Sequence, residues 1–203
     1  MTGTGIEFWR SLLRTWGVDT IQADKKFEEI AAAYAEPDRF YHTLDHALAV
    51  IATVESLAPN AKNPNAVKLA AWLHDVVYDS KASDNEERSA DYAKRLCEEL
   101  GIPDGKQVAA LILKTKTHDP GEDVDAQVLL DADLAILGAN ESDYQAYAEN
   151  IRREYAWVPE PDYRKGRRQI LEKFLTRPRI YHFLSQLEQP ARRNLKAEIA
   201  GLG

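Results

Sequence analysis

A histidine and an aspartate stand side by side in the apolar run Leu69-Ala-Ala-Trp-Leu-His-Asp-Val-Val-Tyr78. An ionised carboxylate buried without a partner costs several kcal/mol. The pair His74-Asp75 therefore calls for a compensating charge, and a metal ion supplies one. Further ligands can be sought by spacing. His46 lies 28 residues before His74, room for one helix, a turn and the start of another. His42 is four residues before His46 and shares its helix face. Adjacent residues on a helix point about 100° apart, so His74 and Asp75 can converge on one ion lying between their directions. A fourth ligand is offered by Leu129-Leu-Asp-Ala-Asp-Leu-Ala-Ile-Leu137, where Asp131 and Asp133 are again carboxylates in an apolar helix. Two imidazoles and two carboxylates suit Mn, Fe, Co, Ni, Zn or Mg. Open positions on such an ion would let it acidify a water and hold a phosphoryl oxygen.

The elements that must carry these residues read as helices nearly throughout. Apolar residues recur at helical spacing from Leu44 to Ile51 and again from Leu69 to Val77. Asp19-Thr-Ile-Gln22 and Ser83-Asp-Asn-Glu86 have the form of capping boxes. Gly101 ends the stretch from Ser83, Pro103 starts the next, and Asn140 caps Glu141 to Tyr155. No Asn-Gly hairpin or alternating strand pattern stands out. The expectation is an all-α fold of about nine or ten helices in one domain spanning residues 1–203. Among the spans, 64–79, 103–117 and 178–188 are expected to be helical.

The 203 residues are 44% hydrophobic and 29% charged, ordinary values for a globular chain. A net charge of -7 argues against general nucleic-acid binding. It leaves room for a small phosphorylated substrate, possible partners being nucleotides, held by a few cations. Arg39, Lys81, Lys114, Lys116, Arg152, Arg153 and Arg167 are the candidates. Lys114-Thr-Lys-Thr-His118 is the best cluster, because Lys114 and His118 share a face if the helix continues. The single cysteine, Cys97, excludes an intramolecular disulfide and reads as a buried, inert thiol. No run of about 18 apolar residues spans a membrane. The opening Met1-Thr-Gly-Thr-Gly-Ile-Glu lacks a signal peptide's pattern, so the expected location is cytoplasmic. Tyr41 and Tyr78 read as core packing before base stacking, and His182 as packing or surface.

The ordered set His46, His74-Asp75 and Asp133 resembles the HD superfamily of metal-dependent phosphohydrolases. The stretches Tyr41-His-Thr-Leu-Asp-His46, Trp72-Leu-His-Asp-Val-Val-Tyr-Asp79, Asn85-Glu-Glu-Arg-Ser-Ala90, Leu130-Asp-Ala-Asp-Leu-Ala-Ile-Leu-Gly138 and Ile151-Arg-Arg-Glu-Tyr155 resemble one bacterial subgroup of it. The resemblance covers about residue 37 onward. It implies an all-helical enzyme that hydrolyses a phosphate ester or diphosphate through metal-activated water. The implied ligands are His46, His74, Asp75 and Asp133, with Asp131 capping or supporting the site, or orienting a ligand. Some members hold a second ion with extra histidines. Here those places carry Asn85-Glu86 and His118, so Glu86 and His118 are expected near the chemistry, with Asp75 a possible bridge. His42 and Arg39 are expected to meet substrate along with Lys114 and Lys116. Two other readings remain: a di-iron oxygenase on the same fold, which needs ligands such as His118 and Glu86, and a non-catalytic module that binds a metal or nucleotide.

Overall fold

The structure, a computed structural model, describes residues 2–203 and contains ten α-helices, with no strand among the described residues. They are α1 (Thr2–Arg14), α2 (Thr20–Tyr34), α3 (Leu44–Leu57), α4 (Pro64–Leu73), α5 (Asn85–Leu100), α6 (Gly105–Thr115), α7 (Val124–Asp133), α8 (Glu141–Glu154), α9 (Glu160–Leu175) and α10 (Glu188–Gly201). Short 3-10 turns occupy Ala58–Asn60, Leu134–Gly138 and Ser185–Leu187. The all-α expectation holds. None of the helices is long and apolar enough to cross a membrane.

The centre is α4, where Ala66, Val67 and every residue from Leu69 to Leu73 are buried. A helix apolar all round must be covered on all sides. Helices α3, α6 and α7 pack along it, and α1 and α5 also touch it. Trp72 anchors this packing, with the Trp9 and Phe27 rings edge-on at 5.4 and 6.0 Å. Burial pushes the Cys97 thiol up to about 11, as suits an inert core residue.

Several expected ends hold and several shift. Asp19 caps α2 by accepting from the Ile21 and Gln22 N–H groups, and Asn140 caps α8 through Asp143 N–H. Gly101 closes α5 at φ 68, a left-handed conformation that suits glycine. The Ser83 capping box does not form: α5 starts at Asn85, and the Ser83 carbonyl instead accepts the Lys116 ammonium. Helix α6 starts at Gly105, two residues after Pro103. Helix α4 stops at Leu73, well short of residue 79, because Arg39 takes up the Asp75 and Val76 carbonyls. The expected helix over 178–188 is instead an irregular segment followed by a 3-10 turn. Its N–H groups at His182, Phe183 and Leu184 donate to Asp131, and those at Ile180 and Tyr181 donate to Glu188. Side-chain carboxylates have replaced the carbonyls a helix would use.

The turn after α7 must pack tightly on the segment before α10. A Cβ built on Gly138 would stand 2.6 Å from Leu187 Cβ and 3.0 Å from its carbonyl oxygen. Gly138→Ala is therefore expected to destabilise the fold by about 1–3 kcal/mol, the usual cost of overpacking. Urea unfolding reads this directly, and an unchanged midpoint would contradict the close approach.

Candidate metal centre

Five segments converge on one buried point. Helix α3 presents His46, the end of α4 presents His74 and Asp75, the end of α7 presents Asp133, and the segment after α6 presents His118. The loop before α3 contributes Tyr41 and His42. His46 and His74 are 7% and 1% exposed. Because α4 ends at Leu73, Asp75 lies just beyond the helix rather than inside it, and its carboxylate turns back to 3.0 Å from His74 Nε2. His46 Nε2 lies 3.2 Å from His74 Nε2, 3.5 Å from Asp75 Oδ2 and 3.3 Å from Asp133 Oδ1. Asp133 Oδ1 is 3.6 Å from His74 Nε2.

These separations fit a shared ion. Ligand atoms about 2.1 Å from one metal stand about 3.0 Å apart in an octahedron and about 3.4 Å apart in a tetrahedron. Ligand atoms of His46, His74 and Asp75 all lie within 4.8 Å of one another, so these three residues form a possible metal site. The tautomer also fits. His74 Nδ1 sits 3.0 Å from the Ala71 carbonyl, which accepts its proton and leaves the Nε2 lone pair facing the cluster.

Electrostatics repeats the argument. Burial pulls the His74 imidazole down, but Asp75 and Asp133 outweigh it and hold its pKa well above the ordinary value. Burial likewise pulls His46 down, and hydrogen bonds to Asp133 and Asp75 raise it overall. Burial raises both carboxylates, yet the neighbouring imidazoles drive Asp75 and Asp133 well below the usual range. With neutral imidazoles the cluster carries two negative charges at the partly buried carboxylates of Asp75 and Asp133, and a divalent cation balances them.

Asp133 faces two ways. Its Oδ2 lies 3.2 Å from His118 Nε2, while Oδ1 faces His46 and His74. His118 adopts φ 50, unusual for a residue with a side chain. Arg177 braces that backbone by donating to the Thr117 and His118 carbonyls. Helix α6 ends at Thr115; the His118 N–H still closes a turn on the Lys114 carbonyl at 3.0 Å, but His118 then takes a left-handed backbone and lines the cavity that Lys114 does not.

A cavity of about 620 Å³ opens beside the cluster, lined by His42, His74, Asp75, Asp133, Glu86 and His118 among others. Tyr41, Tyr78, Tyr147 and Tyr155 supply aromatic wall. Of the sequence candidates for binding phosphate, several are placed otherwise. The Arg39 side chain is 1% exposed, and its guanidinium is spent on the His42, Asp75 and Val76 carbonyls. It shapes the loop after α4, and the expectation that it meets substrate is corrected. Lys114 lies outside the cavity lining. Lys116 reaches the rim, but its ammonium is paired with Glu87 and the Ser83 carbonyl. Arg167 lines the cavity with both sides of its fork on Glu198. Arg152 pairs with Glu160, and Arg153 lies over the Phe40 ring. Asp131 is corrected too. Of the roles expected for it, orienting a ligand is the one replaced: it caps three backbone N–H groups of the segment before α10.

Two cations and one carboxylate escaped the sequence reading. Lys173 and Arg177, on α9 and just after it, line the cavity and have no carboxylate within ion-pair distance among the described residues. Glu154, at the end of α8, is fully buried. Its Oε1 accepts from the Phe40, Tyr41 and His42 N–H groups, and its Oε2 meets His42 Nδ1 at 2.7 Å and the Tyr78 hydroxyl at 2.9 Å. His42 stacks on Tyr78 at 4.1 Å and so is held from two sides. A signal for Glu154 existed: it continues the buried stripe of Tyr144 and Ile151, where a lone carboxylate is an anomaly.

The family model for the HD domain matches residues 43–172, well over half of the chain and all four residues of the cluster. No curated protein and no solved structure matches the chain. An all-helical fold with His46, His74-Asp75 and Asp133 gathered at its centre accords with that match, and the chain belongs to the HD-domain family.

Proposed function

We propose that this protein is a metal-dependent phosphohydrolase acting on a small phosphate ester or phosphoanhydride, with nucleotides in its range. The observation that carries this reading is the spacing of 3.0 to 3.6 Å from the Nε2 atoms of His46 and His74 to each other and to the carboxylates of Asp75 and Asp133, at the edge of an open cavity. These four residues would hold the ion. A bound divalent cation supplies an activated water at neutral pH and positive charge for the phosphoryl oxygens.

The remaining residues divide the work. Lys173 binds the phosphoryl oxygens in place of Arg39 and Lys114, while Arg177 braces the turn that carries His118. His42, locked by Glu154 and Tyr78, presents its remaining ring nitrogen to the substrate. His118 holds Asp133 from behind. Glu86, at the first turn of α5 and with no ion pair among the described residues, and His118 take or give the proton, a role supported by their position in the cavity lining. The Tyr78 and Tyr155 rings give a flat apolar surface for a base or sugar.

The test is phosphate release from a panel of nucleotides and sugar phosphates by protein loaded in turn with Mn, Mg, Fe, Co, Ni and Zn. Release that stops on chelation and returns with metal is expected. Lys173→Ala should raise KM about tenfold with kcat little changed, the effect of losing one charged contact. No release with any of the six metals would refute the proposal.

A further inference from the structure

A second cavity of about 950 Å³ adjoins the first. The two share Thr117, His118, Leu134, Lys173 and Arg177 as lining residues. The outer one adds Arg179 and His182, which the inner one lacks. Its two carboxylates are engaged by backbone. Asp131 is filled by the N–H groups of residues 182–184 and also lies 3.7 Å from His182 Nδ1, and Asp119 accepts the Gly121 N–H within its own turn. Lys173 and Arg179 reach this cavity with no carboxylate in ion-pair range among the described residues. The wall is built rather than loose: Arg177 is tied to two carbonyls, and His118 is held at both its backbone and its ring. In a chain of net charge -7, a recess whose cations Lys173, Arg177 and Arg179 outnumber its carboxylates Asp119 and Asp131, and which shares a wall with the metal cluster, favours an anion.

Resting on the phosphohydrolase reading, we propose that the substrate carries a second phosphoryl group, remote from the bond that is broken. The reacting phosphoryl lies beside His74 and Asp75. The molecule passes over His118, and the second phosphoryl is seated in the outer cavity by Lys173 and Arg179. The preferred class is thus a bisphosphorylated small molecule rather than a simple monoester. Lys173, common to both cavities, bridges the two groups.

Adenosine 3′,5′-bisphosphate and adenosine 5′-monophosphate provide a matched pair. Their binding to the metal-loaded protein is measured by calorimetry, and their hydrolysis by phosphate release, for the natural chain and for Arg179→Glu. The bisphosphate is expected to bind about tenfold more tightly, as one added charge-assisted contact predicts. Arg179→Glu should erase that advantage and leave the monophosphate within about twofold. Hydrolysis of the monophosphate with no preference for the bisphosphate overturns the second subsite alone. A loss shared equally by both ligands in Arg179→Glu also overturns it, because a merely structural role would act that way. Failure of both ligands to bind overturns the subsite, while the hydrolase reading stands or falls on the wider phosphate-release panel.

Discussion

Asp75→Asn is expected to lower phosphate release by about a thousandfold or more, equivalent to about 4 kcal/mol of transition-state stabilisation. The substitution removes one of two partly buried negative charges that would face the ion and keeps the side chain's shape. It should leave the fold intact, because the Asp75 carboxylate makes no hydrogen bond to backbone. The structural duty at this position belongs to its carbonyl, which accepts the Arg39 guanidinium. The natural protein should gain thermal stability when metal is added, since an ion that binds only the folded state stabilises it by mass action. Asp75→Asn should lose most of that gain while its metal-free melting stays cooperative. A variant that keeps both the metal-induced rise in Tm and a rate within tenfold of the natural protein would remove Asp75 from the site.

The second large effect concerns acid stability and Glu154. Burial alone would raise this carboxyl, but the His42 ring and the backbone N–H groups of residues 41 and 42 outweigh it and bring it down to about 2. Its ordinary value is 4.5. A folded-state pKa below the unfolded one contributes stability that is fully present above about pH 4.5 and lost as pH falls toward 2. The contribution is on the order of 3 kcal/mol. Glu154→Gln should therefore unfold more easily at pH 7, and the difference from the natural protein should narrow between pH 5 and about pH 3. Asp75 and Asp133 add to the acid limb of both proteins, so the difference between the two isolates Glu154. Urea unfolding at a series of pH values measures it. Curves that stay parallel across this range would show that Glu154 is not ionised in the fold. The same variant should impair catalysis, because an amide has one acceptor oxygen and cannot serve both the three backbone N–H groups, as Oε1 does, and the His42 ring with the Tyr78 hydroxyl, as Oε2 does.

Two kinds of carboxylate, one buried and one partly buried, look alike in a sequence. Asp131 and Glu154 are filled by backbone N–H groups and hold chain segments in place. Asp75 and Asp133 have only imidazoles around them and are balanced by a cation when the imidazoles are neutral. The distinction lies in the partners, which are set by folding. Asp131 and Asp133 are two residues apart, so on a helix they point about 200° apart. One meets the segment before α10 and the other meets His46, His74 and His118.

The all-helical class was legible because helical periodicity and caps are local, carried by residues three or four apart. The presence of a polar cluster was legible for a different reason: His74-Asp75 in an apolar run breaks a strong rule, and a broken rule needs a partner. Local signals failed where the partner was distant. Helix α4 ends early because Arg39 captures carbonyls 36 and 37 residues away. The expected helix before α10 is lost because Asp131 reaches N–H groups 51 to 53 residues on. Tertiary structure alone decided that Glu154 grips a loop 112 to 114 residues before it, that Arg39 is spent on backbone, and that Lys173 and Arg177 reach the cavity. The sequence by itself determined which groups must not be left unpaired. The fold determined what pairs them, because convergence of side chains depends on the packing of whole helices and not on spacing along the chain.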